Sequence, residues 1–170
     1  MTITVVQAVT VADLDNVRDL MRAFVRWHRE RHVEDLDLIE SYFDAAAFAA
    51  ELAALPGPYA SPVGSLLLAS VDATPAGCVA MHDLGAGVCE MKRMFVPEPF
   101  RGLGVGRALA DQIIGDARRA GYSRMRLDTS IRQTEAIGLY ERSGFRRIAA
   151  YYPVTQRMAD WLIFFERTLA

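Results

Sequence analysis

Only two of the 170 residues are cysteine, Cys78 and Cys89, and only one, Lys92, is lysine. Two thiols cannot staple a small disulfide scaffold, and their separation fits no CxxC-type zinc pattern. Both are therefore expected to be buried free thiols in a reducing compartment. No segment approaches the ~20 apolar residues that a membrane-spanning helix needs, so no membrane partner is expected. The opening MTITVVQAVTVADLD lacks a basic region followed by a long apolar stretch, and a cytoplasmic location without a secretory leader is expected. A net charge of −2, from 19 basic and 21 acidic residues, supplies no positive field for a phosphate backbone, so nucleic acid is not an expected partner. Metal-binding patterns are equally scarce. His28 and His32 stand four apart, but HRERH lacks the second-position glutamate of HExxH and no third ligand accompanies it; no metal is expected.

What is present is an ordinary globular balance, 52% hydrophobic and 24% charged, in a length that suits one domain over residues 1–170. Residues 2–9 alternate and favour a first strand. Leu14, Val17, Leu20, Met21, Phe24 and Val25 form an apolar stripe on a helix from Val11 to about His32. A second helical stretch is read from Leu36 to Leu55, stopped by Pro56-Gly57-Pro58. Strands at Ser65–Asp72, Gly77–Leu84 and Val88–Val96 are separated by turn residues and read as an antiparallel meander. From Gly104 to Ala120 apolar residues recur every four positions, and Gly121 stands where a helix C-cap glycine belongs. Arg124–Thr129 reads as a strand, Thr134–Ser143 as a helix, Phe145–Ala149 as a strand and Asp160–Thr168 as the last strand. Hairpin strands followed by strand–helix–strand units give an α/β chain with a mixed antiparallel and parallel sheet and helices on its faces.

The strongest chemical signal is VPEPFRGLGVGRAL. A strand ends near Val96, prolines 97 and 99 break it, and RGLGVG leads directly into a helix. Glycines let the backbone adopt positive φ and approach a ligand closely, and the free N–H groups of a helix start favour a pyrophosphate. Arg101 and Arg107 can add charge-assisted hydrogen bonds. A dinucleotide fingerprint would need glycine at position 107, which is arginine, and a Walker A loop would need Gly-Lys-Ser/Thr. The turn fits something phosphorylated in neither usual nucleotide fold.

RGLGVG resembles the Arg/Gln-x-x-Gly-x-Gly/Ala signature of the GCN5-related N-acetyltransferase (GNAT) superfamily, and Ala136-Ile-Gly-Leu-Tyr140-Glu-Arg-Ser-Gly-Phe145 resembles its downstream motif, in the family's order and separation. The resemblance implies the GNAT-like acyl-CoA N-acyltransferase fold, acetyl-CoA as co-substrate and a primary amine, free or on a peptide or protein, as acceptor. It implies that backbone N–H groups of Arg101, Gly102, Leu103, Gly104, Val105, Gly106 and Arg107 hold the CoA pyrophosphate. Met94, Phe95 and Val96 would pair with the pantetheine arm, on a bulged strand that splays from Arg124–Thr129. The thioester carbonyl would face a backbone N–H near Met94 or Phe95. Relatives often carry asparagine where this chain has Gln133, a longer amide that can still contact CoA.

The chemistry asks for a base and an acid. An amine near pKa 10.4 must shed a proton, and a departing thiolate near pKa 8.5 benefits from a protonated neighbour. Tyr140 stands at the family's general-acid position, against a plain reading as a core aromatic. Glu90 falls where the histone-acetyltransferase branch places its glutamate and would act as base through water, against a plain reading as a strand carboxylate paired with Lys92 or Arg93. Strand alternation puts Glu90, Lys92, Met94 and Val96 on one face and Met91, Arg93 and Phe95 on the other. Trp27, His28 and Tyr42 are expected to border the acceptor pocket. The acidic residues Glu34, Asp35, Asp37, Glu40 and Asp44 read as a solvated face, with attraction of a cationic acceptor as the alternative. Trp161, Phe164 and Phe165 read as core, with a homodimer interface as the alternative. A non-catalytic acyl-CoA-binding or sensing module is the competing function.

Overall fold

The computed structural model describes residues 1–169. The chain runs β1 (Ile3–Gln7), α1 (Val11–Arg31), α2 (Leu36–Tyr42), α3 (Ala45–Ala54), β2 (Ser65–Val71), β3 (Thr74–Gly85), β4 (Val88–Phe95), α4 (Val105–Arg119), β5 (Arg124–Ser130), α5 (Thr134–Arg142), β6 (Arg146–Ile148), α6 (Gln156–Trp161) and β7 (Leu162–Thr168). The strands form one sheet in the order β1-β2-β3-β4-β5-β7-β6. All its pairings are antiparallel except β4 with β5.

Local chemistry sets most boundaries. Thr10 and Asp13 cap α1 reciprocally, and its buried stripe of Val17, Leu20, Met21, Phe24 and His28 faces the sheet. Gly121, at φ +90°, follows the end of α4, and Asp72 and Ala73, at φ +47° and +68°, make the two-residue turn between β2 and β3. Two boundaries differ from the sequence reading. The stretch 36–55 is two helices, because Asp44 turns its carboxylate onto the Ala47 N–H and starts α3 afresh. Asp160 and Trp161 close α6, which Thr155 caps at the Met158 N–H, so the last strand begins at Leu162.

Two cores flank the sheet. Val105, Leu109, Ile113 and Ala117 of α4 cover one face with Met91, Met94, Met125 and Leu127. Phe24, Ile39, Phe43 and Leu52 cover the other with Phe95, Trp161 and Phe164. Trp161, Phe164 and Phe165 are 4%, 5% and 0% exposed, so they are core residues of this chain. Both cysteines are buried and unpaired, and burial pushes each thiol up to about 12, which keeps them protonated and unreactive at neutral pH.

Candidate active site

The site begins where the two parallel strands separate. β4 and β5 are in register only at Val88 with Arg124, Cys89 with Met125 and Glu90 with Arg126. Beyond Glu90 both continue, β4 to Phe95 and β5 to Ser130, without pairing to each other. A bulge on β4 accompanies the parting. Ala80 of β3 opposes Lys92 but Cys78 opposes Phe95, and the extra residue is accommodated where Arg93 adopts φ +60°. One inserted residue shifts the alternation by one. Met94 therefore joins Met91 on the α4 face, whereas Phe95 packs on the α1 face. This corrects the strict alternation expected from sequence, which grouped Met94 with Glu90 and Lys92.

Arg93 is an unlikely residue for positive φ, and long-range contacts hold it there. Its guanidinium makes two hydrogen bonds to Glu51 of α3, at 2.8 and 2.9 Å, and lies 5.0 and 5.5 Å from the ring centres of Phe43 and Phe48. Burial alone would raise the Glu51 carboxyl, but the Arg93 hydrogen bonds and charge outweigh it and hold that carboxyl below its usual range.

A groove of about 510 Å³ runs from the glycine turn to this parting. The first helical hydrogen bond of α4 goes from the Ala108 N–H to the Gly104 carbonyl, so the N–H groups of residues 104–107 have no partner within the helix. Gly102 and Gly104, at φ +74° and +93°, shape the turn, and a Cβ on Gly106 would come within 3.3 Å of Leu139. The wall opposite comes from Gln133, at the N-cap of α5, and from Ala136 and Leu139 of α5. Of the residues implicated from sequence, Met94, Phe95, Val96, Arg101, Gly102, Gly104, Val105, Gly106, Arg107 and Gln133 all line this groove. Leu103 does not line it and is 38% exposed. Arg101 braces the turn, donating from Nε to the Val96 carbonyl at 2.9 Å and lying 4.6 Å from the Trp27 ring centre. Arg107 pairs with Asp111 on the exposed face. Phe24, Trp27 and Arg142 also line the groove and were missed as ligand contacts. Phe24 reads as part of the core stripe and Trp27 as a border of the acceptor pocket, and nothing local marks an arginine at the end of α5.

Phe24, Met94 and Gln133 continue from the groove into a small cavity of about 40 Å³ at the parting itself. Tyr140 lines this cavity, 5% exposed, with its ring against Phe145 and Phe165. Burial and the Asp128 carboxylate raise its phenol above the usual value, so it stays protonated. Glu90, 6% exposed, accepts from His82 Nε2 at 2.8 Å and from the Tyr151 hydroxyl, with Lys92 Nζ 3.5 Å away. Its burial opposes ionisation, yet the His82 hydrogen bond, the Lys92 charge and the Tyr151 hydrogen bond prevail and hold its carboxyl down to about 2. Asp128 accepts from the hydroxyls of Tyr42 and Tyr152, the latter at 2.6 Å. Sequence reading missed Tyr151 and Tyr152, which lie in a coil segment without periodicity.

His28 and Tyr42 line the small cavity, whereas Trp27 lines only the outer groove. The acidic residues of 34–44 are engaged within the fold. Glu34 and Asp35 pair with Arg132, Asp37 with Arg157 and Glu40 with Arg29, and Asp44 caps α3. Glu34, Asp37 and Glu40 keep about half of their side-chain surface in solvent, which fits a solvated face.

A mixed sheet whose central parallel strands part beside a glycine-lined helix start is the architecture of acyl-CoA N-acyltransferases. The chain belongs to the Acetyltransferase (GNAT) family, whose sequence pattern matches residues 21–145. It is 41% identical to an uncharacterized N-acetyltransferase of Schizosaccharomyces pombe, over 60% of this chain and 64% of that one. It is 40% identical to an IAA acetyltransferase of Azospirillum brasilense, over 51% of this chain and 57% of that one. The chain thus spans less than two thirds of these relatives' length. Two solved structures share the fold over nearly the whole chain. A GNAT-family acetyltransferase from Staphylococcus aureus aligns with TM-score 0.76 at 17% identity, covering 99% of this chain and 100% of the other. PaiA N-acetyltransferase from Thermoplasma acidophilum, solved in complex with coenzyme A, aligns with TM-score 0.71 at 16% identity, covering 99% of each.

Proposed function

We propose that the protein is an N-acetyltransferase that passes the acetyl group of acetyl-CoA directly to a primary amine within a ternary complex. One observation carries this reading: a groove walled by unpartnered helix N–H groups leads into the gap between two diverging strands. Acetyl-CoA would supply an activated acyl group and a thiol leaving group. Residues 104–107 present four amide donors toward a pyrophosphate, and the glycines leave their approach clear. Met94, Phe95 and Val96 offer a strand edge that β5 does not use. Gln133 stands where groove and cavity meet and can bond an amide of the pantetheine arm. Tyr140 donates a proton to the departing sulfur. Glu90, ionised throughout the working range, draws the amine's proton away through water, which carries it out to solvent, while His82 and Tyr151 hold the carboxylate in place. Both cysteines are buried and protonated, so neither fits a covalent acyl carrier. The free thiols favour the cytoplasm as the place of action, and no described helix is long and apolar enough to cross a membrane.

Calorimetry with acetyl-CoA and NAD separates this reading from a dinucleotide enzyme; heat with NAD alone overturns it. A panel of amines assayed for free-CoA release separates it from a sensing module, which would bind acetyl-CoA and transfer nothing.

Two substitutions probe the parts. Gly104→Ala places a Cβ on a left-handed residue, which costs about 1–2 kcal/mol unless the turn relaxes. The acetyl-CoA KM is expected to rise about tenfold, with kcat within about twofold. Equal falls in kcat would show that the turn aligns the acyl end as well. Glu90→Gln is expected to lower kcat about tenfold, a modest loss because water partly replaces the relay. Its pH dependence has a definite sign. The folded carboxyl at about 2 lies below the ordinary glutamate value of 4.5, so its stabilisation is complete above that value and fades as pH falls toward 2. The melting-temperature gap between parent and Glu90→Gln should accordingly close in acid. Superimposable pH–rate profiles for the two proteins would remove Glu90 from the proton path.

A further inference from the structure

Among the described residues, five buried side-chain polar atoms have no hydrogen-bond partner, and three of them (His28 Nδ1, Thr129 Oγ1 and Ser130 Oγ) belong to residues lining the small cavity at the strand parting. Buried polar atoms are nearly always satisfied, because an unpaired one costs about 1–3 kcal/mol. Two of these residues, His28 and Ser130, stand on the same side of the sheet and mark a place built for a polar ligand. His28 and Ser130 are 1% and 2% exposed, so bulk water does not satisfy them.

Charge points the same way. Asp128 lines this cavity and receives hydrogen bonds only from two neutral phenols, those of Tyr42 and Tyr152. Among the described residues no cation pairs with it, in contrast to Glu90, which has Lys92 beside it. A carboxylate has about four acceptor sites, and two phenols leave room for more. By strand alternation Asp128 and Ser130 share one face of β5, the face covered by α1, from which His28 projects toward the sheet. Thr129 faces the other side with Leu127.

We propose that Asp128, Ser130 and His28 form the acceptor subsite, and that it selects primary alkylammonium groups. The match is one of number. A primary ammonium carries three N–H donors, and the subsite offers three acceptors: the Asp128 carboxylate, Ser130 Oγ and His28 Nδ1. Burial and the neighbouring His32 lower His28 to about 4 against the pull of Asp35, so its ring is neutral at pH 7, and in the tautomer protonated at Nε2 its Nδ1 accepts. Asp128 supplies the countercharge. A secondary amine leaves one acceptor unfilled, and a quaternary one leaves all three. Phe24, Phe43 and Trp161 wall the cavity and fit an apolar chain behind the nitrogen. The subsite rests on the acetyl-transfer reading, and the proton shed before attack leaves by the Glu90 route.

The test uses the full-length protein, with butylamine, N-methylbutylamine and butyltrimethylammonium as probes and free-CoA release as readout, alongside calorimetry with acetyl-CoA. Butylamine should be acetylated and N-methylbutylamine at least tenfold less efficiently, and the quaternary salt, which cannot be acetylated and carries no N–H donor, should not compete with butylamine. Asp128→Asn and Ser130→Ala should each raise the butylamine KM tenfold or more while the acetyl-CoA Kd stays within twofold. Ser130→Ala removes one hydroxyl and keeps the result readable should Asp128→Asn fail to fold. A butylamine KM unmoved in Ser130→Ala, or no butylamine turnover by a parent that binds acetyl-CoA, overturns the subsite and leaves the acetyl-transfer reading standing. A parent that binds no acetyl-CoA overturns both.

Discussion

Replacing Tyr140 with phenylalanine is expected to lower kcat by on the order of 10²–10³-fold and to leave the acetyl-CoA KM within about twofold. The substitution removes one oxygen. The ring itself stays edge-on to Phe145, at 6.0 Å between centroids, so α5 and the groove wall it forms keep their packing. What is lost is the only phenol that reaches the parting from the α4 side of the sheet among the cavity-lining residues. Burial and the Asp128 charge both resist ionisation of that phenol, so it holds its proton well beyond neutral pH. The parent's kcat should therefore show no loss assignable to phenol ionisation up to about pH 9. Steady-state kinetics of the variant with a fast amine decide the matter: an unchanged kcat strips Tyr140 of its role as acid. A large rise in the acetyl-CoA KM instead would make Tyr140 a binding residue.

Features that depend on a few adjacent residues were legible in the chain, and those that depend on distant partners were not. The start and end of α4 show in the sequence because Gly104 and Gly121 meet local demands for positive φ. Arg101–Arg107 and Ala136–Phe145 resemble family motifs, and together they point to the groove and the fold and put Tyr140 forward as the acid. The bulge on β4 left no such mark. Position 93 carries arginine where glycine would announce a left-handed residue, and its partner Glu51 is 42 residues away. Hence the face of Met94 was misread. The break between α2 and α3 rests on one aspartate choosing a cap over helix continuation, a choice that composition does not reveal. Tyr42 and Tyr152 reach the same carboxylate from positions more than a hundred residues apart, and no period or spacing connects them.

Removing the Glu51 side chain is expected to destabilise the protein by about 3 kcal/mol, because it strands a buried guanidinium. For a chain of this size that corresponds to a fall in Tm of roughly 6–12 °C. The side chains of Arg93 and Glu51 are 9% and 19% exposed, so solvent cannot take over the lost partner. Acid should act on the parent in the same sense. The Glu51 carboxyl sits below the ordinary glutamate value of 4.5, so its stabilisation holds above that pH and fades as pH falls, and the Tm gap to Glu51→Ala should narrow in acid. The catalytic consequence follows from the bulge. Arg93 at φ +60° sets the direction of the amides at Met94 and Phe95, and without its anchor kcat should fall more than the acetyl-CoA KM rises. Arg93→Gly in the Glu51→Ala background makes the argument sharper. Glycine accepts positive φ without strain and removes the stranded charge, so the double variant should regain much of the Tm lost by Glu51→Ala alone. A Tm for Glu51→Ala within 2 °C of the parent, or a double variant no more stable than that single one, would show that this ion pair does not hold the strands apart.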